Sequence, residues 1–223
     1  MPLSEQDGAV VTAAVHGAEA STSGEIVTVL AGASDRYHDV AAHWATLAAL
    51  AVPAFGAAFP GPILSLLERF GGGWNSAAGV REVLTASLIG SALVFLLALL
   101  LLRSVRLRMT LTPPATKTRR VRRRAVELFK AAAERRTHGR TGVLLYLSLA
   151  ERRAEIVADE AIHARVDPKL WGEAMAVLLE RTRAGRPGEG IAAAVERIGA
   201  VLHEHFPRTD GDVNELPDRL VEL

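Results

Sequence analysis

The chain has 223 residues, 26 Lys and Arg against 25 Asp and Glu, and a formal net charge of +1, so it is no generally basic nucleic-acid binder. It has no cysteine, which excludes disulfides, thiolate zinc sites and cysteine nucleophiles. No P-loop, HExxH helix, GxSxG elbow or GxGxxG fingerprint occurs.

In chain order, Ser4 is placed to cap a helix whose Val10, Val11, Ala14, Val15 and Ala18 recur at helical spacing, with Asp7 as its capping-box acid. MPLSEQDGAVV lacks the basic flank and apolar core of a cleavable signal, so the N-terminus is expected in the cytoplasm. Glu25 to Leu30 is β-branched and almost continuously apolar, as in a strand covered on both faces.

Ala45 to Leu67 is apolar but interrupted by Pro53, Pro60 and Pro62, and is expected to be a first membrane span. Val83 to Leu102, VLTASLIGSALVFLLALLLL, is uncharged and matches the roughly 20 residues that cross a bilayer core. Trp44 and Trp74 fall at the expected ends of this hairpin, and Gly71, Gly72 and Gly73 lie in its connection. From Arg103 to Arg124 there are nine Lys or Arg and no acid. Such a block holds the end of a span at a negatively charged cytoplasmic face. Arg103, Arg106, Arg108, Arg119, Arg120, Arg122, Arg123 and Arg124 are the candidate membrane-surface contacts. Ala86, Ser87, Gly90 and Ser91 could pack a second copy, giving a homo-oligomer.

Beyond the block, a helix is expected over 119–136 with Val121, Ala125, Leu128 and Ala132 inward. Val143–Leu149 and Ala154–Ala158 read as an antiparallel strand pair joined by Glu151-Arg152-Arg153. Asp167-Pro168 signals the start of a helix with Leu170, Ala174, Val177 and Leu178 inward, and 185–190 reads as a connector. A last helix runs from about Gly190 to His205. The fold class is thus α/β: a split sheet sandwiched by helices and interrupted by a two-helix transmembrane hairpin. The divisions are 1–40, the first part of the domain; 41–102, the hairpin; 103–124, the basic segment; and 125–223, the second part.

Asp159 and Glu160, at a strand end, are the candidate ligands for a hard cation, Ca2+ or Mg2+, with Glu25, Asp35 and Asp39 as further oxygens; no cofactor is required by the pattern. Asp210 to Glu215 alternates oxygen ligands like the opening of an EF-hand loop, without its sixth-position glycine or twelfth-position acid. His203 and His205 are two apart on a helix and point to different faces.

SGEIVTVL at 23–30, Tyr37 to Trp44, TGVLLYLSLAERRAEIVAD at 141–159 and GIAAAVERIGAVLHEHFP at 190–207 resemble the TPM-domain family. Within it the chain looks like a bacterial membrane branch with a two-span hairpin inserted after the first strand. The resemblance implies a sheet sandwiched by helices. Some soluble relatives are described as acid phosphatases, some bind calcium, and others act in repair or assembly. Where relatives carry a turn of the type Gly-Tyr-Gly-Leu-Glu after the third strand, this chain has Ala158-Asp159-Glu160-Ala161-Ile162. The expected function is a binding, assembly or quality-control module for membrane proteins, with a weak divalent-metal-dependent phosphatase as the alternative. Its expected place is the bacterial inner membrane, multi-pass, with both termini and the domain cytoplasmic. The expected partners are the lipid bilayer and a further membrane protein, not nucleic acid.

Overall fold

The structure is a computed structural model that describes residues 3–70, 79–132, 141–209 and 218–223. In chain order the elements are α1 (Glu5–Glu19), β1 (Glu25–Ala31), α2 (His38–Ala58), α3 (Pro60–Phe70), α4 (Val80–Leu101), α5 (Val105–Leu111), α6 (Pro114–Ala132), β2 (Gly142–Ser148), β3 (Arg153–Ala158), α7 (Glu160–His163), α8 (Leu170–Arg183), α9 (Pro187–His205) and β4 (Val221–Glu222). They form two compact units, Met1–Asp35 with Pro114–Leu223, and Arg36–Pro113.

The first unit is built on a mixed sheet of order β3-β2-β1-β4. β1 and β2 run parallel, Glu25 opposite Gly142 through to Ala31 opposite Ser148, while β3 returns antiparallel to β2. Every residue of β1 and β2 is buried because both faces are covered. Ile26, Leu30, Val143, Leu145 and Leu147 meet the apolar sides of α1, α8 and α9 on one face. Val27, Val29, Leu144 and Tyr146 meet Val121, Ala125 and Phe129 of α6 on the other. The alternation of one strand's side chains between two cores is the pleat itself.

Some boundaries keep their sequence-based positions and others move, with physical reasons visible in the packing. The α1 capping box forms, with the Asp7 N–H donating to Ser4 Oγ and the Ser4 N–H to Asp7 Oδ2. α9 starts at Pro187, not Gly190, because its glycines serve close approach. A Cβ on Gly190 would stand 2.9 Å from the Leu178 carbonyl, and one on Gly199 2.5 Å from the Ala18 Cβ. α8 starts at Leu170: the Asp167 side chain accepts the Lys169 N–H at 2.9 Å, tying up the turn that Asp167-Pro168 opens. That shift leaves Leu170 exposed and turns Trp171 inward. β4 pairs with β1 through Val221 and Glu222, a strand too short for any periodic signal.

In the second unit the apolar stretch 45–67 is not one helix. α2 runs through Pro53 to Ala58, breaks at Phe59 (φ −133°, ψ 75°), and α3 begins at Pro60. A residue preceding proline is driven out of the helical region, which puts the break at Phe59. α2 starts at His38, seven residues before the expected span. Trp74 and Gly71–Gly73 lie outside the described residues, as do Asp210–Glu215.

Candidate functional site

α2 and α4 have 21 and 22 residues, about 32 Å at 1.5 Å per residue, against a hydrocarbon thickness of about 30 Å. They are the two helices among the described residues that are long and apolar enough to cross a membrane. Their surfaces are inverted relative to those of a soluble helix. Small and polar groups lie between them: a Cβ on Gly90 would meet Val52 at 3.3 Å, and Ser91 Oγ donates to the Ala49 carbonyl at 3.1 Å. Large ones lie outside: Leu50, Leu88, Leu93 and Leu96 are all more than 60% exposed. No residue of α4 is fully buried. The stripe expected to pack a second copy thus turns Gly90 and Ser91 toward α2 of the same chain. Close approach of backbones through small residues is the packing mode of helices that have no hydrophobic driving force between them.

After α4, Arg103 and Arg106 are exposed, and Arg108 spans carbonyls, donating to Arg36 O at 2.7 Å and to Arg103 O at 3.4 Å. Trp44 Nε1 donates to the Leu111 carbonyl within the same unit. α5 leaves Val105 and Leu107 exposed between its arginines, an amphipathic arrangement.

On α6 the five clustered arginines divide. Arg120, the most enclosed, pairs with Asp35 at 3.1 Å, and Arg123 joins it at 3.3 Å, clamping the segment after β1 to the helix. Arg124 pairs with Glu127, and Arg122 reaches Glu155 of β3 at 4.0 Å. Arg119, Arg122 and Arg123 line an open groove with Val126, Glu127 and Lys130.

The carboxyl ends of parallel β1 and β2 carry a polar network absent from the sequence-based expectations. Glu151, buried in the β2–β3 turn, accepts the Ser34 N–H at 2.9 Å and the Ser148 hydroxyl. Ser34 Oγ lies 2.9 Å from the Tyr146 hydroxyl, whose pKa is raised, first by burial. The strand-end location is where α/β sheets commonly bind ligands. Here the groups satisfy one another.

Asp159 and Glu160 lie at the opposite end of the sheet. Asp159 is buried, and its Oδ2 accepts the Gly142 N–H at 2.9 Å, closing β3 onto the start of β2; Glu160 is exposed in the first turn of α7. Glu25 opposes Gly142 in register and so shares that end, whereas Asp35 sits past the other end of β1 and Asp39 belongs to the second unit. Among the described residues no three His, Asp or Glu converge as metal ligands.

A second acidic group was not anticipated from sequence. Glu19 Oε1 accepts the Ile26 N–H at 2.7 Å, close to Glu25 and to Asp218, which His16 Nδ1 approaches at 3.3 Å. Burial is the main cause that lifts the Glu19 pKa to about 8, the Ile26 N–H opposing it and the two neighbouring acids adding to it.

A strongly buried mixed sheet between helical layers, its polar groups at the strand ends, defines an α/β domain. Residues 99–201 match the family model for the TPM domain. The chain therefore carries a TPM domain over those residues. The match runs from the last turn of α4 into α9 and leaves β1 outside. No curated protein matches the chain. Its fold is similar to the NMR structure of the BA42 protein from the psychrophilic bacterium Bizionia argentinensis, with a TM-score of 0.57, 16% identity, and coverage of 100% of this chain and 97% of that one. That likeness is one of fold.

Proposed function

We propose that the protein is an integral membrane protein in which α2 and α4 cross a bilayer as a hairpin, presenting the TPM domain at one face as a binding or assembly module for other membrane proteins. The observation that carries the reading is the inverted surface of α2 and α4, with leucines outward and Gly90 and Ser91 between the helices. Arg103, Arg106 and Arg108 directly after α4 favour the cytoplasmic side for that end. An even number of crossings brings both ends of the hairpin to one side, so the domain's two sequence segments can fold together there. In a bacterium that side is the cytoplasmic face of the inner membrane.

The module reading also rests on what the domain's polar groups already do, since Glu151, Asp159 and Asp35 are engaged in internal hydrogen bonds or ion pairs. Alkaline carbonate extraction followed by crosslinking in intact membranes tests it. The protein is expected to stay in the pellet and to give discrete crosslinks to another membrane protein. Release into the supernatant would overturn the membrane reading, and no crosslink would overturn the assembly role. The competing metal-dependent phosphatase has a different signature: phosphate release that needs a divalent ion and disappears in Asp159→Ala.

A further inference from the structure

The turn between β2 and β3 places cations around a cavity. Arg152 N–H donates to the Leu149 carbonyl at 3.2 Å, and Arg152 itself lies in the left-handed region at φ 51°. Glycine commonly fills the left-handed position of such hairpin turns, because any other side chain there is strained by about 1 kcal/mol or more. Arginine fills it here. The adjoining cavity, about 270 Å³, takes its positive charge from Lys117 in the first turn of α6, Arg152 and Arg153 at the start of β3, and Arg183 at the end of α8. β3 is an edge strand, so this cavity wraps the sheet's edge between α6 on one face and α8 on the other.

Charge pairing separates these cations from the other arginines nearby. Arg120 and Arg123 share Asp35, Arg122 faces Glu155, Arg124 has Glu127, and Arg181 and Arg186 share Glu189. Among the described residues the side chains of Lys117, Arg152 and Arg183 have no hydrogen-bonding or ion-pairing partner. The cavity's two carboxylates are already engaged: Glu151 by Ser34 and Ser148, Glu155 by Arg122 with Arg153 close enough to lower its pKa against the effect of burial.

We propose that this cavity binds a multiply charged oxyanion, a phosphate group carried either by a lipid headgroup or by a soluble phosphorylated compound. Guanidinium forks and a lysine point charge match the phosphate geometry. Lys117, Arg152, Arg153 and Arg183 outnumber Glu151 and Glu155 around this concavity, and that cationic excess favours the entry of an anion. The volume suits a headgroup rather than a large ligand.

The test uses the full-length protein in neutral detergent at fixed ionic strength, titrated calorimetrically with inorganic pyrophosphate and, separately, with short-chain phosphatidic acid. Saturable binding is expected, weakened about tenfold or more in Lys117→Gln/Arg183→Gln. Binding of pyrophosphate alone assigns the site to a soluble compound; binding of phosphatidic acid alone assigns it to a headgroup; mutual competition assigns it to the shared phosphate. Should the double variant fail to fold, Arg152→Asn removes one cation while easing the turn, and it is expected to weaken binding several-fold without lowering the melting temperature. No saturable binding of either probe, or unchanged binding in the variants, would overturn the proposal.

Discussion

The two units follow opposite rules with similar residues. In the TPM unit leucine and valine point inward and are almost fully buried, as Leu144, Leu145 and Leu147 are, while arginines form the outer layer of α6. In the helical unit the leucines of α4 point outward and the small residues point inward. The first arrangement is driven by removal of apolar surface from water, worth about 25 cal/mol per Å². On the proposed membrane reading the second gains nothing from that term and relies on close packing and on the Ser91–Ala49 hydrogen bond between its helices. The contrast teaches that Ala, Leu and Val are arranged in opposite ways in the two units, and that burial rather than hydropathy tells them apart.

The sharpest way to break this comparison is to truncate a leucine in each unit. Leu145→Ala is expected to cost about 2–5 kcal/mol of unfolding free energy, because it leaves a cavity against two helices. Leu93→Ala, at a site 62% exposed, is expected to cost well under 1 kcal/mol in detergent. Equal losses in denaturant melts of the two variants would mean that the outer face of α4 is a covered protein core. Asp159→Ala comes next. It leaves the Gly142 N–H without its acceptor and should cost about 1–3 kcal/mol, read as a lower melting temperature.

Glu19 sharpens the comparison through pH, since it belongs to the unit built on the sheet and is half-buried. Its folded pKa of about 8 lies above the ordinary 4.5, so the folded state holds a proton that the unfolded state loses first. Stability is full below about pH 4.5, falls as pH rises toward 8, and levels off above that. Glu19→Gln keeps the acceptor for the Ile26 N–H and should flatten this decline, leaving the variant more stable than the wild type at pH 9. An unchanged pH profile in thermal melts would show that Glu19 does not titrate in this range. The smallest effect is expected for Ser91→Ala, about 0.6 kcal/mol, the average for an interhelical hydrogen bond in a membrane bundle.

Much of the fold was legible because long elements advertise themselves. The Ser4 capping box, the continuous apolar run of β1 and the charged turn between β2 and β3 each carry a local signal, and all three form. What was not legible depended on partners far away in sequence. Gly188 and Gly190 look like a break until Asp7 and the Leu178 carbonyl are seen against them, and β4 exists only because β1 offers an edge. The candidate sites were less legible still. Five arginines within six residues read as one charged patch, yet Arg120 and Arg123 are bound to Asp35, 85 positions or more away in the chain. Asp159 reads in sequence only as an acid at a strand end; that its carboxylate accepts the Gly142 N–H of the neighbouring strand needs the fold to be seen. The cations of the sheet-edge cavity are spread over 117–183, and no spacing rule would have joined them.

The central claim is that α2 and α4 span a bilayer as a hairpin with the TPM domain on the side opposite the α3–α4 connection. The chain contains no cysteine, so single-cysteine variants report without background. Arg81→Cys at the start of α4 and Glu173→Cys on α8 are both exposed positions. In intact spheroplasts a membrane-impermeant maleimide is expected to label Arg81→Cys at once and Glu173→Cys only after permeabilisation. Labelling of both, or of neither, before permeabilisation would place the two sites on the same side and contradict the account.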